Sequence, residues 1–531
     1  MTSTSRQEAQ ALSPALTGPR DWFLTPEERG NPDTRIDRRH LDGRSWTDGN
    51  TVNALIHGEQ YFARLLEIVA RLGHGDLLLF TDWRSDPEER LADEAGTEVA
   101  RTFAAAARRG AVVRGLLWRS HHMLQFAAHK NRTLGQAIDE AGGECLLDMR
   151  VPPFGSHHQK LVVVRHASRP ADDVAFVGGI DLCFGRRDGE HHRGDPQGLR
   201  MADVYGDNPP WHDVQLEIRG PAVGDVEVVF RERWEDTSPL SRHPLHALSS
   251  LIHKDTWRPG PLPPPSPDPA PRGTTSVQLL RTYAARTPGY PFARQGERSV
   301  ARGYRKVLRR ASRLVYVEDQ YLWSAEVASV YAEALRREPE LRMVFVIPGY
   351  PEDDGRLSRP PNIAGRLESL RVLQQAGGQR FAVYWLENES NCPVYVHAKV
   401  VVVDDDWACV GSDNANRRSW THDSELSAAV WDASSELARD LRGRLAAEHL
   451  ALTPGQDVPD QDGLFAAFAS SAARLDAWHS SGRAGPRPPG RLRAFRPGEV
   501  GRVARLWATP AYRVLYDPDG RPRQLRRRRA F

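Results

Sequence analysis

The feature that most constrains the fold is a short pattern that occurs twice, in stretches about 240 residues apart. "FGSHHQKLVVV" occupies residues 154–164, and "VYVHAKVVVVD" occupies residues 394–404. Each stretch places a histidine two positions before a lysine and then continues into a run of valines. Only 5 of the 72 basic residues are lysines, and with 19 histidines roughly 0.2 such triplets are expected by chance. The pattern therefore indicates two equivalent halves.

The order of elements around the two stretches repeats as well. Helical spacing, as over residues 52–71, alternates with short apolar runs typical of buried strands, such as residues 75–83 and 313–323. A proline-dominated run at residues 258–275 separates the two series. Such alternation predicts an α/β fold of two duplicated halves, each a mostly parallel sheet flanked by helices, with the active site at their interface.

The composition divides the chain into five parts. The last 51 residues carry 14 arginines against three acidic residues, which indicates an anionic partner such as lipid headgroups or nucleic acid. The predicted parts are a flexible N-terminal segment (1–45), the first half (46–255), a Pro-rich linker (256–276), the second half (277–452), and a C-terminal part that is helical and then a basic tail (453–531).

Several common protein classes are disfavoured. The four cysteines show no C-x-x-C spacing, which argues against a zinc knuckle or a disulfide framework. Neither a signal peptide nor a membrane-spanning stretch is apparent, so we expect a cytoplasmic protein that touches a membrane at most peripherally. Because both halves lie in one chain, we expect a monomer.

The residue types of the two stretches suggest a reaction. A histidine from each half can meet its counterpart across the interface, one as nucleophile and the other as general acid and base. Lysines act as point charges for phosphate oxygens, and glycine followed by serine or asparagine lets donors approach an oxyanion. This combination describes phosphodiester cleavage through a covalent phosphohistidine, without a cofactor.

We predict no metal site. Zinc would require H-x-H or H-x-x-E-H spacing at these strands, and neither occurs. The histidine pairs at His121–His122 and His191–His192 have the appearance of loop surface.

The two stretches resemble the phospholipase D superfamily, whose signature H-x-K-x4-D occurs twice. In the first copy Arg165 stands where the signature has aspartate, and Asp172 or Asp173 is a candidate substitute. The second copy is complete and is followed by the equivalent of a G-S-x-N motif. The matching residues are His158 and Lys160 in the first copy, and His397, Lys399, Asp404, Gly411, Ser412 and Asn414 in the second.

The resemblance implies a role for each residue. His158 would attack phosphorus and His397 would protonate the leaving alcohol, although the reverse assignment stays open. Lys160 and Lys399 would hold the non-bridging oxygens. The other implied members of the site are Asn414 and Ser412 beside the phosphate, Asp404 near the lysine, Gly179 and Asp181 at a strand end, and Asp213 and Glu425 as carboxylates that fix the histidine tautomers.

The superfamily leaves the substrate open. The first expectation is a phospholipase D that cleaves the headgroup phosphodiester of glycerophospholipids at a membrane surface, giving phosphatidic acid or a new phospholipid by transphosphatidylation. The alternatives are a phosphatidyltransferase similar to cardiolipin or phosphatidylserine synthases, and a nuclease. A non-enzymatic alternative is an inactive scaffold that binds anionic lipid or nucleic acid.

Overall fold

The computed structural model describes residues 18–121, 125–352, 359–498, 508–528 and 530–531, and its strands fall into two series. The first series is β1 (Thr47–Ile56), β2 (Leu77–Asp82), β3 (Val112–Trp118), β4 (Glu144–Asp148), β5 (Leu161–Arg165), β6 (Val174–Gly178), β7 (Trp211–His212) and β8 (Val214–Arg219). The second is β9 (Thr275–Tyr283), β10 (Glu297–Arg298), β11 (Leu314–Glu318), β12 (Arg342–Val346), β13 (Phe381–Glu387), β14 (Pro393–Val396), β15 (Val400–Val403), β16 (Trp407–Gly411), β17 (Glu425–Trp431) and β18 (Leu492–Ala494).

Helices cover the sheets. Within the described residues they are α1 (Pro19–Trp22), α2 (Pro26–Arg29), α3 (Gly58–Ala70), α4 (Val99–Arg108), α5 (Gln125–Asp139), α6 (Ala222–Trp234), α7 (Pro244–His253), α8 (Ser299–Leu308), α9 (Ala325–Arg337), α10 (Arg359–Gly377), α11 (Arg417–Thr421), α12 (Glu436–Leu450), α13 (Leu464–Ser480) and α14 (Arg523–Arg528). None of these helices is both long and apolar enough to cross a membrane.

The two halves have the same strand order. The first sheet runs β1-β8-β6-β5-β2-β3-β4, and the second runs β9-β17-β16-β15-β11-β12-β13. Each strand of the first sheet thus has a counterpart at the same place in the second. The sheets meet through antiparallel pairing of β1 with β9. The predicted α/β fold of two duplicated halves is confirmed.

Strand directions are mixed within each sheet, whereas the sequence predicted mostly parallel sheets. Among the neighbouring pairs of these two strand orders, as described, only β2-β3-β4 and β11-β12-β13 are parallel. A further parallel pair, β7 with β14, joins the two halves. The other four neighbouring pairs in each half's strand order are antiparallel. The reason is the length of the connections, because parallel neighbours need a crossover such as α4 or α5. A loop of eight residues joins β5 to β6, and a turn of three joins β15 to β16.

The valine runs of β5 and β15 lie in the middle of their sheets and are buried on both faces. Val163 and Val402 point into a core shared by the two sheets, α6 and α12. Val162 packs under the helices on the outer face of the first half, and Val401 does the same in the second half. Burial of each such side chain is worth about 1.5–3 kcal/mol, so both strands are firmly fixed.

The structure corrects one predicted helix and adds one strand. Residues 52–56 belong to β1 rather than to a helix, because Val52, Ala54 and Ile56 alternate inward against β8, and the helix begins at Gly58. Strand β9, which follows the proline-rich run, was not predicted. It pairs with β1, β10 and β17.

The end of the basic C-terminal part packs onto the second half. Phe531 is buried with its ring centroid 5.4 Å from that of Trp420, and Arg521 forms an ion pair with Glu326 at 2.7 Å. The first 17 residues of the predicted N-terminal segment lie outside the described residues.

Candidate active site

A cavity of about 590 Å³ lies between the two halves, and both motif histidines line it. His158 stands three residues before β5, and His397 stands three residues before β15. Because β5 and β15 are counterparts, the duplicated fold brings the two predicted histidines to one place.

Each histidine is held by a carboxylate of the other half. His158 Nδ1 lies 2.8 Å from Glu425 Oε2, at the start of β17, and His397 Nδ1 lies 2.6 Å from Asp213 Oδ2, just before β8. A carboxylate accepts the Nδ1 proton, so Nε2 is the ring nitrogen left for chemistry. The two carboxylates that the resemblance implied therefore contact the two histidines, and they do so crosswise between the halves.

The electrostatics around His397 favour its neutral form. Burial lowers the pKa of His397 well below its usual range, and the charges of Lys399 and Arg186 act in the same direction. Burial raises the pKa of Asp213, although Lys399 opposes this. An anionic phosphodiester in the cavity would add negative charge and raise the pKa of His397 again.

The two motif lysines lie beneath their histidines and are almost fully buried. Lys160 Nζ donates to the backbone oxygen of His158 at 3.1 Å and pairs with Asp181 Oδ1 at 3.2 Å. Lys399 Nζ donates to the backbone oxygen of His397 and, at 3.3 Å, to Gln320 Oε1. Both positive charges are thus held next to the two motif histidines.

Asp181 and Gly179 have different functions at the end of β6. Burial alone would raise the pKa of Asp181, but the charge of Lys160 and other neighbours outweighs this effect and lowers it. The pKa of adjacent Asp82 is raised, both by burial and by the charge of Asp181. Asp181 is therefore the anion that pairs with Lys160. Gly179 leaves space for the Asp213 carboxylate, because a Cβ at this position would lie only 2.2 Å from Asp213 Oδ1.

Ser412 and Asn414 occupy different places in the structure. The Ser412 hydroxyl donates to Glu425 Oε2 at 2.5 Å and accepts the Leu426 N–H at 3.0 Å. Ser412 therefore supports the carboxylate behind His158, rather than the phosphate as the resemblance implied. Asn414 lines the cavity, and within the described chain its buried amide oxygen has no hydrogen-bond partner.

Asp404 does not reach the cavity, which corrects its expected place near the lysine. Its carboxylate accepts hydrogen bonds from the backbone N–H groups of Ser312, Arg313 and Leu314 at 2.8–2.9 Å. It follows Lys399 by five positions along an extended strand, which amounts to about 16 Å. Asp404 instead fixes the start of β11.

Arg165 occupies the corresponding far end of β5, so its presence leaves the cavity unchanged. It pairs with Asp173 at 2.9 Å and with Glu227 at 3.2 Å. Asp173 also accepts the N–H of His166, and Asp76 accepts that of Ala167. These carboxylates fix the neighbouring backbone much as Asp404 does in the second half. Asp172 is exposed.

Replacing Asp404 with alanine should destabilise the protein without disabling the site. Loss of the acceptor for three backbone donors should lower the free energy of unfolding by about 1–3 kcal/mol. Any activity that depends on the two histidines should fall by much less than the roughly 10²-fold loss expected when a reacting group is removed. Urea unfolding and steady-state kinetics check this against Asp440→Ala on the exposed side of α12. A loss of activity with unchanged stability would contradict it.

The structure adds residues that the sequence did not indicate. Arg186 is buried at the cavity, and its guanidinium lies 3.6 Å from the ring centroid of Trp211. Trp83 and Trp118 stack at 5.5 Å in the cavity wall. His121 also lines the wall, and its Nε2 contacts the backbone oxygen of Gly155 at 2.8 Å. His122 lies outside the described residues. In so arginine-rich a chain, nothing in the sequence distinguishes Arg186.

Two family models match the chain. The model described as Phospholipase D matches residues 135–330, and the one described as Cardiolipin synthase, PLD-like domain, matches residues 306–447. Together they span the segments that carry both histidines, both lysines and both carboxylates.

Curated relatives and a solved structure are similar to the chain. Phospholipase D alpha 1 of Cynara cardunculus is 25% identical over 395 residues, covering 55% of this chain and 47% of the relative. Phospholipase D A of Dictyostelium discoideum is 26% identical over 396 residues, covering 59% of this chain and 28% of that relative. A crystal structure of phosphatidylserine synthase from Haemophilus influenzae matches with a TM-score of 0.48 and 14% identity, over 81% of this chain and 95% of that one.

The chain spans about half or less of the length of these two curated relatives. Even so, the two family models, the similar curated proteins and the paired motifs all lead to one assignment: the chain belongs to the phospholipase D superfamily.

Proposed function

We propose that the protein is a phospholipase D-type phosphodiesterase that cleaves the headgroup phosphodiester bond of glycerophospholipids. The observation that carries the proposal is the crosswise pairing of His158 with Glu425 and of His397 with Asp213 at one cavity. Two oriented imidazoles supply a nucleophile and a proton donor, which are the groups that a two-step displacement at phosphorus needs.

In the first step, Nε2 of His158 attacks phosphorus and the bond to the headgroup oxygen breaks. His397 gives that oxygen a proton, so the headgroup leaves as an alcohol and a phosphatidyl group stays on His158. In the second step, His397 takes a proton from water, whose oxygen attacks phosphorus and breaks the N–P bond. Phosphatidic acid is released, or a new phospholipid if an alcohol replaces water. The opposite assignment of the histidines is the alternative to be tested.

Positive groups around the cavity suit the phosphoryl charge. Lys160 and Lys399 lie directly beneath the histidines, and Arg186 lines the wall. Charges fixed in a buried site interact more strongly with a developing anion than charges in water do. These three residues are our candidates for binding the non-bridging oxygens, with Asn414 as a neutral neighbour.

The apolar character of the cavity mouth supports a lipid substrate. Aromatic side chains such as Trp83, Trp118 and Trp323 line the cavity, and at its rim Phe154 and Leu515 are about half exposed. Arg119, next to Trp118, donates to the backbone of α7 at His246, and α7 exposes the apolar side chains Leu245, Leu248, Leu251 and Ile252. Such a surface is suited to contact with a bilayer.

A phosphatidyltransferase is the second candidate. The family model that matches residues 306–447 is described as Cardiolipin synthase, PLD-like domain. The same two histidines can activate an alcohol in place of water, so the two candidates differ only in the acceptor.

The proposal is tested by headgroup release from vesicles of phosphatidylcholine, phosphatidylethanolamine, phosphatidylserine or phosphatidylglycerol. The assays are brief and contain EDTA, and each is run with and without ethanol or glycerol. Release with phosphatidic acid formation supports the hydrolase. Products that form only with an added alcohol indicate the transferase. Cleavage of labelled single- or double-stranded DNA instead of lipid would indicate a nuclease. No turnover on any of these substrates would overturn the proposal in favour of a binding scaffold.

Activity should fall at alkaline pH because of Lys399. Burial lowers the pKa of this lysine to about 8, although Asp213 opposes the shift, so the positive charge is lost as pH rises through about 8. We expect kcat/KM on a soluble short-chain phospholipid to decline above pH 8, approaching about tenfold per pH unit. A profile from pH 6 to 10 measures this, and a constant kcat/KM between pH 7 and 9.5 would contradict it.

A further inference from the structure

A second cluster of titratable side chains lies behind the active site, at the backbone of β7 and Asp213. It contains His57, His192, His212 and Glu448, which come from four separate segments. The three histidines are buried, and one ligand atom from each of the four residues lies within 4.8 Å of the others. His192 was expected on a loop surface and is instead fully enclosed, whereas His191 is exposed.

Hydrogen bonds fix the tautomers of two of these histidines. His57 Nδ1 lies 3.2 Å from the backbone oxygen of Asp213, and His192 Nδ1 lies 3.1 Å from that of Trp211. A backbone oxygen only accepts, so each Nδ1 carries a proton and the Nε2 of a neutral ring carries a lone pair. These two Nε2 atoms lie 2.7 and 2.9 Å from the two carboxylate oxygens of Glu448.

His212 repeats the pattern with its ring reversed. Its Nε2 lies 2.6 Å from Glu318 Oε2, a carboxylate that fixes this side of the ring. Its Nδ1 lies 3.5 Å from Glu448 Oε1, and among the described residues this buried nitrogen has no hydrogen-bond partner. Three imidazole nitrogens thus converge on one carboxylate, while the opposite nitrogen of each ring donates to an oxygen.

We propose that His57 Nε2, His192 Nε2, His212 Nδ1 and the Glu448 carboxylate bind one Zn²⁺ ion. Metal-ligating histidines almost always donate their other ring N–H to a carboxylate or a backbone carbonyl, as all three do here. Three nitrogens and one oxygen suit tetrahedral zinc, whose ligand distances of about 2.0–2.2 Å place ligand atoms about 3.3 Å apart. The contacts within the cluster span that spacing.

The charge of the cluster also favours a cation. With neutral imidazoles, Glu318 and Glu448 bring two negative charges, and Arg491, 3.4 Å from Glu448 Oε1, brings one positive charge. His449 adds a hydrogen bond to Glu318 at 2.8 Å but no charge when neutral. A buried group with net negative charge is costly, and a divalent ion offsets that cost.

Four protein ligands leave no open coordination position, so the zinc is structural. Its effect reaches the active site through the backbone, because His57 and His192 hold the carbonyl groups of Asp213 and Trp211. Asp213 is the residue whose carboxylate orients His397. The ion would therefore position Asp213 without touching substrate, and the inference does not depend on which phosphodiester the enzyme cleaves.

Metal content of the untagged 531-residue chain tests this directly. The chain is loaded with excess Zn²⁺, desalted through a chelating column and analysed by elemental mass spectrometry. We expect about one zinc per chain in the wild type and in His191→Ala, whose side chain is an exposed neighbour. We expect at least a tenfold lower content in His192→Ala and Glu448→Gln. A metal-free wild type, or variants that retain the metal, would overturn the proposal.

X-ray absorption at the zinc edge on the wild type needs no variant and covers the case in which the substitutions prevent folding. The expected spectrum shows about three imidazole nitrogens and no sulfur in the first shell. Sulfur scattering would place the ion at cysteines and overturn the proposal. The wild type could also hold no zinc, keep its fold and melt at the same temperature with and without added metal. In that case protons rather than a cation join these side chains, and the zinc proposal is overturned.

Discussion

Replacing His158 or His397 with alanine should lower phosphodiester cleavage by about 10³-fold or more, since each variant lacks either the nucleophile or the group that moves the proton. Both side chains line the cavity and have their Nδ1 atoms held by carboxylates, so each acts through a single defined nitrogen. Headgroup release or cleavage of a chromogenic phosphodiester measures the loss, with the exposed His191→Ala as the matched control.

The double variant should be barely worse than either single variant, because residues that act as one unit show strongly non-additive effects. A single variant that retains a tenth of wild-type activity would contradict the two-histidine mechanism.

The same variants determine which histidine attacks. On a substrate whose leaving group needs no proton, such as a p-nitrophenyl phosphodiester, the variant that lacks only the acid still completes the first step. If His158 attacks, His397→Ala should therefore release one equivalent of p-nitrophenol and keep a phosphoryl group on His158, and His158→Ala should show no burst. The reverse pattern assigns the attack to His397.

Replacing Asp213 with asparagine or Glu425 with glutamine should lower kcat by about 10²–10⁴-fold while the fold stays intact. An amide nitrogen opposite Nδ1 donates rather than accepts, so the histidine takes the other tautomer and its Nε2 lone pair is lost. Asp213→Asn disables His397 and Glu425→Gln disables His158, so each substitution acts on the opposite half.

Two measurements separate this effect from general damage. The melting temperature of each amide variant should stay close to that of the wild type. The proton-coupled nitrogen chemical shifts of the partner histidine should show the change of tautomer. A loss of less than tenfold in kcat, with the tautomer changed, would show that the carboxylates do not support the reaction.

The sequence predicted site residues best where one short segment contains both the residue and the pattern that identifies it. The two histidines and lysines were recognisable because a rare triplet precedes a valine run in each half, and the duplicated α/β order followed from the same repeat. Asp404 was misplaced, because its spacing from Lys399 looked like a motif. The extended strand between them instead carries Asp404 about 16 Å away.

Other features depend on contacts between distant segments, which no local pattern records. The second half of strand β1, residues 52–56, was taken for a helix because its inward residues continue the apolar pattern of α3. Arg186 becomes a cavity residue only when the loop after β6 packs against Trp211. The histidine cluster was missed for the same reason, because its four proposed ligands lie 20 to 236 positions from the next one along the chain.

The crosswise pairs make the two halves chemically inseparable. Neither half contains a complete histidine–carboxylate unit, so half a molecule expressed alone must dimerise and find a carboxylate in the second copy. If one half is replaced by that of a relative, the new half must supply two groups. Its histidine must fit the carboxylate of the retained half, and its carboxylate must fit the histidine of the retained half. A substitution at the histidine or the carboxylate of one repeat is thus constrained by its partner in the other repeat.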